Sequence, residues 1–538
     1  MSHFEQLPTP AQPGQPGQPG QPDQPGQPGQ PAAYGAVFAP AAVEILSNQG
    51  GSVQPPPRRR RTGLIAAIAT VVVLALGAGG LAAWSAFNGG GAQPESVLPA
   101  TTVAFVKVDL DPSAGQKIEL FKLLQKFPEN AQLAGTDKDF GQWLVRRLVE
   151  SGSGTSGIDF GRDIQPWLGK RFAVAGVPGP SAKEPIDGVV VLQETDQNAA
   201  TAALEKIKHV KGAAKLGYAF ANGYVVISPD SSTAAQSAVK AAQTASLGDA
   251  ATYKADVASL ASDQVVTAWA NAGAVGGLIK QQMGTVSGLP AASVGPLIDS
   301  AYKGRWVLGL HVVSGIVELQ VYTLGGTPSP ATPPIAHLNN VAADSWAVVA
   351  SSGVDQRVDS MWKQLSALPT YQSSVRQVED QLGLSLPGDL KTLLGSELEV
   401  SLAGNVSSQP IFVVAATSPN PTAAQELLNR LLRRSGAPAG TVSERIGQPY
   451  TLYVGNTQAG VDTAGDNSFA ANVLFDQAVA DPSTAEVVGF VDMSHVWSSF
   501  GADFTTQQQK EWEHVAAIGF SGRHSGGASS YTLRIVLK

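Results

Sequence analysis

The block Arg58-Arg59-Arg60-Arg61-Thr62-Gly63 runs directly into an uncharged, mostly apolar stretch from Leu64 to Phe87. At about 1.5 Å of rise per residue a helix of that length spans roughly 36 Å, which covers a hydrocarbon core of about 30 Å with some tilt. A helix satisfies its own backbone groups, the condition under which lipid accepts it. Leu64, Val72, Leu76 and Leu81 supply apolar side chains, and Trp84 and Phe87 close the run where rings favour the interface. Positive residues stay on the cytoplasmic side, so Arg58, Arg59, Arg60 and Arg61 predict an N-terminus inside and a C-terminal body outside the cell membrane. The expected partner of residues 64–87 is the lipid bilayer, with anionic lipid adding about 1 kcal/mol per nearby cation. A cleaved signal peptide has an apolar region of about 7–15 residues near the chain start. This run lies behind sixty-three residues, so a retained single-pass anchor is expected, with cleavage after Ala83 or Ala86 as the competing reading.

The stretch divides the chain into unlike parts. Residues 1–57 form a tail in which Gln12 to Pro31 repeats Gln-Pro-Gly, with Asp23 in one glycine slot. Such composition favours a solvated, polyproline-like segment. Residues 58–87 are the anchor and 88–97 a linker. Folded patterning then occupies 98–324 and 337–538, separated by a Gly/Pro/Thr linker over 325–336. Glu5, Asp23 and Glu44 against the four arginines leave the first 63 residues at +1, so the remainder carries −8 of the chain's −7. An acidic body lacks the basic stripe that phosphate binding needs, so no nucleic-acid partner is expected. The chain has no cysteine, which excludes disulfides, thiolate chemistry and lipid attachment at a thiol.

Beyond the linker the pattern starts again. Val103 to Val108 is answered by Ala347 to Ala350, and Asp163-Ile164-Gln165-Pro166-Trp167-Leu168-Gly169 by Asp389-Leu390-Lys391-Thr392-Leu393-Leu394-Gly395. The strand and helix from Val189 to Ile207 are answered by Ile411 to Leu431. The closing pair Trp306 to Val313 and Ile316 to Leu324 is answered by Ala516 to Phe520 and Tyr531 to Leu537. Strands in adjacent pairs with short turns imply antiparallel sheets. The expected fold class is α+β: two tandem homologous repeats, each a mainly antiparallel sheet with helices packed on one face, behind one transmembrane helix. Asp163/Asp389 and Gly169/Gly395 recur in both copies, and their chemistry is that of helix caps.

No residue pattern assigns a catalytic, cofactor-binding or metal-binding role. The histidines His3, His209, His311, His337, His495, His514 and His524 show no His-x-x-x-His spacing. Ser237-Ala238-Val239-Lys240 fits Ser-x-x-Lys but lacks the supporting elements of acyl-serine enzymes. Asp109-Leu110-Asp111 begins like a calcium loop, yet the glycine is displaced and no glutamate stands at the twelfth position.

The entry Leu98 to Pro112, the Trp167-Leu168-Gly169 turn and the duplicated layout behind an arginine-rich anchor resemble the actinobacterial members of the family called domain of unknown function 3352. The resemblance implies a bacterial envelope protein with no assigned activity. The expected function is that of a non-catalytic ligand-binding or scaffold protein outside the membrane, with a cleft between the two copies holding an apolar or cell-wall ligand. The alternative is an envelope hydrolase or transferase built on a carboxylate site.

Overall fold

The computed structural model of the chain describes residues 92–538 apart from 110–115, 117–118, 120–158, 182–183, 210–214, 262–263, 287–294, 296–297, 300–301, 329–330, 343, 367–368, 405–409, 449, 466–468, 470–471, 501–504, 506–508 and 510–511. The first half supplies β1 (Ala104–Asp109), β2 (Leu168–Ser181), β3 (Glu184–Glu194), β4 (Gly217–Ala221), β5 (Tyr224–Ser228), β6 (Val266–Asn271), β7 (Arg305–Val313) and β8 (Ile316–Leu324). The second supplies β9 (Ala347–Ser352), β10 (Glu397–Ala403), β11 (Ile411–Thr417), β12 (Ser443–Gly447), β13 (Thr451–Gly455), β14 (Val487–Asp492), β15 (Val515–Ser525) and β16 (Ala528–Leu537). The strand order is β12-β13-β11-β10-β9-β14-β15-β16-β8-β7-β6-β1-β2-β3-β5-β4. Each half has the same internal order, since adding eight to every strand of the first half reproduces the second.

The expectation of two sheets behind one transmembrane helix is corrected. The described residues form one sixteen-stranded sheet, continuous through β16 and β8, which pair antiparallel from Ser529↔Thr323 to Val536↔Ile316. Each of these strands would be the free edge of an isolated half, and a free edge exposes a row of unpaired N–H and C=O groups. Pairing them removes both edges at once. Among the described residues no helix is long and apolar enough to cross a membrane. Residues 58–87, on which that expectation rests, lie outside the described residues. The α+β class stands.

Helices cover both faces of the sheet, not one. Successive strand residues point to opposite faces, and Phe172-Ala173-Val174-Ala175 and Val189-Val190-Val191-Leu192 are apolar on both. One face packs Phe172, Leu192 and Val108 against Ala200, Ala203 and Leu204 of the helix Gln197–Lys208. The other packs Phe105, Ala173 and Val191 against Ala235, Ala238 and Val239 of the helix Ala234–Thr244. Local chemistry sets the element ends. Asp196 caps its helix by accepting from the N–H groups of Asn198 and Ala199. Asn222 and Gly223, both at positive φ, make the tight turn between β4 and β5.

The recurring aspartates have a common structural role, whereas of the two glycines only Gly395 caps a helix at positive φ and Gly169 lies within β2. Asp163 accepts from the Asp159 N–H (2.9 Å) and pairs with Lys206; Asp389 accepts from the Ser385 N–H (2.8 Å) and faces Arg430 (3.6 Å). Hydrogen bonds from Lys206 and the Asp159 backbone hold the Asp163 carboxyl well below the usual carboxylate range. Gly395 has φ +70° and ψ −165°, a region essentially reserved for glycine, and a Cβ there would strike the Thr417 carbonyl oxygen. Gly395→Ala is expected to cost at least about 1–3 kcal/mol from the backbone alone. A urea-unfolding midpoint equal to that of the unaltered protein would contradict this.

Candidate ligand cleft

Following the pairing register across one face of the first half gives an apolar row: Phe172, Val108, Val266, Leu310 and Leu319. The first four are buried in one core, and Leu319 packs against it. The equivalent row in the second half reads Leu398, Ser351, Val487, Gly522 and Tyr531. Glycine thus stands where the first half has Leu310, and tyrosine where it has Leu319. A cleft of about 780 Å³ lies there. Its floor is Val487, Gly522 and Tyr531, and one wall is the start of the helix Val354–Ser366. Gly522 is needed for the shape, since a Cβ on it would come within 2.6 Å of the Tyr531 ring and 2.9 Å of Val487. The ring therefore lies across the glycine, 5.9 Å from and nearly parallel to Phe520.

The charged groups of the cleft hold one another in place. The Glu486 side chain is only 6% exposed; it accepts from the His524 N–H (3.0 Å) and faces the Arg357 guanidinium (3.4 Å). Arg357 also donates to the Ser351 hydroxyl. Asp359 pairs with Lys391 at 2.7 Å. The Arg523 Nε donates to the neutral hydroxyl of Ser530 (3.1 Å), and the His524 ring lies 2.9 Å from Ser529. Both carboxylates of the cleft are thus committed to structural partners.

A second polar cluster lies in the same half but is sealed. On β10, Glu397, Glu399 and Ser401 point to one fully buried face. Glu397 accepts from the N–H groups of Ala336 (3.1 Å) and His337 (2.6 Å). Glu399 is completely buried between Ala350 and Ala415 of the flanking strands. Neither of its oxygens reaches hydrogen-bonding geometry among the described residues, although Glu397 and Asn340 lie beside it. Asn340 in turn accepts from the Tyr453 hydroxyl at 2.9 Å. Burial, and then the neighbouring Glu397, push the Glu399 carboxyl well above the usual carboxylate range. The register puts Ala173 of the first half at the place of Glu399. Two close acids with one raised pKa are what a carboxylate enzyme needs, but no substrate reaches a group with no exposed surface.

None of the sequence-assigned anchor residues is positioned here: Arg58, Arg59, Arg60, Arg61, Leu64, Val72, Leu76, Leu81, Trp84 and Phe87 all lie outside the described residues. Ser237 and Lys240 sit on the exposed side of their helix, and Asp109 pairs with Arg171 at 3.2 Å. Among the described residues no group of three or more His, Asp or Glu side chains is placed to hold a metal. The cleft residues escaped sequence reading because Ser351, Glu486, Gly522 and Tyr531 come together only through strand pairing. The one usable signal was the mismatch between the copies, Leu310 against Gly522 and Leu319 against Tyr531.

Residues 66–219 match a family model described as a protein of unknown function (DUF3352). No curated protein matches the chain.

Proposed function

We propose that this chain is a non-catalytic binding protein held at the cell membrane by residues 64–87, with the body that follows on the extracytoplasmic side. The observation that carries the binding role is the cleft over Gly522 and Tyr531. It opens in the second half at the position where the first half is filled by Leu310 and Leu319. A rigid sheet with one copy closed and one copy opened suits ligand capture, since sites on strands hold their geometry without reorganisation. Both cleft carboxylates have partners of their own, which supports binding over hydrolysis. The membrane part rests on the arginine block and the apolar run.

Full-length protein extracted from the membranes of its own host is expected to carry a small molecule in native mass spectrometry. Preparations that are consistently ligand-free would overturn the binding role. A cysteine introduced at Gly326 should react with an impermeant reagent in intact cells; protection there would overturn the orientation.

A further inference from the structure

We infer that the cleft takes an uncharged, polyhydroxylated ligand, a segment of neutral glycan, in contact with the Tyr531 ring; the inference rests on the binding role proposed above. Three observations point to this chemistry. The first is charge. The ionised side chains of the lining are Arg357 and Arg523 against Asp359 and Glu486, which cancel. A phosphate or carboxylate site needs a surplus of cationic donors, and Arg357 already faces Glu486. The second is the mixture of hydrogen-bonding groups. A sugar hydroxyl both donates and accepts. The lining offers donors in the two guanidinium groups, acceptors in the two carboxylates, and both in Gln356 and Ser360. An apolar ligand would strip water from the hydrogen-bonding capacity that these groups keep beyond their structural partners, which is unfavourable.

The third is the aromatic surface. Tyr531 is 36% exposed, and its ring lies flat because position 522 has no side chain. The C–H faces of a sugar ring are apolar and match such a surface, while the hydroxyls at its edge reach the rim. A tyrosine supplies an apolar body with a wet tip, which is what a ligand with an apolar face and a polar edge requires. The first half has leucine at the equivalent position, packed into the core. The difference between the copies therefore lies in the residues that would touch the ligand.

The test is isothermal titration calorimetry on the full-length chain in detergent. The probes are N-acetylglucosamine tetramer, maltohexaose and xylohexaose as neutral glycans, with citrate and inorganic phosphate as anions. At least one neutral oligosaccharide is expected to bind at one site, and Tyr531→Leu, the residue of the other copy, should weaken it about tenfold or more. Tyr531→Phe, which keeps the ring, should retain most of the affinity. Oligosaccharide binding that Tyr531→Leu leaves unchanged would overturn the inference. So would failure of every neutral probe while an anion binds in a way that Arg357→Gln abolishes; that outcome leaves the binding role standing with another ligand class. Failure of all probes together with ligand-free native protein overturns both. Unaltered circular dichroism and melting temperature of Tyr531→Leu separate lost contact from lost fold.

Discussion

Glu399→Gln is expected to stabilise the protein at neutral pH and to flatten the pH dependence of its stability. Glu399 is fully buried and its carboxyl is shifted upward by burial and by Glu397. The folded chain therefore holds a proton that the unfolded chain releases above about pH 4.3. A raised folded pKa in an acid means that the folded state binds more protons than the unfolded one. Stability is then greatest below the unfolded pKa and falls as pH rises toward the folded pKa. The slope is about 1.4 kcal/mol per pH unit while the two states differ by one proton. Glutamine has nearly the shape of the neutral acid, but it does not titrate. Melting temperatures at pH 5, 6, 7 and 8 should separate progressively, with the variant higher at the alkaline end. Parallel curves would show that Glu399 is ionised in the fold. Asp163 acts in the opposite sense: its depressed pKa gives stability that is lost as pH falls below the ordinary carboxylate range.

Arg534→Met should loosen the junction between the halves. Arg534 of β16 faces Glu318 of β8 across the register, with 2.7 Å between Nε and Oε2. Glu318 is 6% exposed and also accepts from Gln320 at 2.7 Å. Removing one member of a buried pair leaves an uncompensated charge and typically costs about 3–5 kcal/mol. Arg534 is itself 25% exposed, so solvent screening argues for about 2–3 kcal/mol here. The double variant Glu318→Gln with Arg534→Met should recover much of this loss, because no charge is then stranded. Hydrogen exchange should rise first in residues 316–324 and 529–536. A single variant as stable as the parent would mean that water already reaches Glu318.

The elements were largely legible because they rest on local patterns. The strand Ala347–Ser352, the helix Gln197–Lys208 with its Asp196 cap and the Asn222-Gly223 turn all follow from alternation, helical spacing and turn chemistry. Where neighbours decide, local pattern is not enough. In Glu-Leu-Glu-Val-Ser-Leu-Ala of β10, alternation assigns the glutamates to water, yet they occupy the more buried face. The cause lies on other strands. Ala350 and Ala415 leave room beside Glu399, and Asn340 and Tyr453 supply polar company.

The amino-acid order by itself determined the apolar run behind four arginines, the matching series of elements in the two halves and the absence of thiol chemistry. These are properties of consecutive residues, and no partner from elsewhere in the chain is needed to express them. The tertiary structure alone decided that β8 and β16 join the halves into one sheet, since edge pairing depends on which strands are left unpaired when each half closes. It alone placed Gly522 and Tyr531 beside Ser351 and Val487, because neighbours across a sheet are set by register and not by distance along the chain. The cleft floor follows from that register: the missing side chain on β15 lets the Tyr531 ring of β16 lie across Gly522.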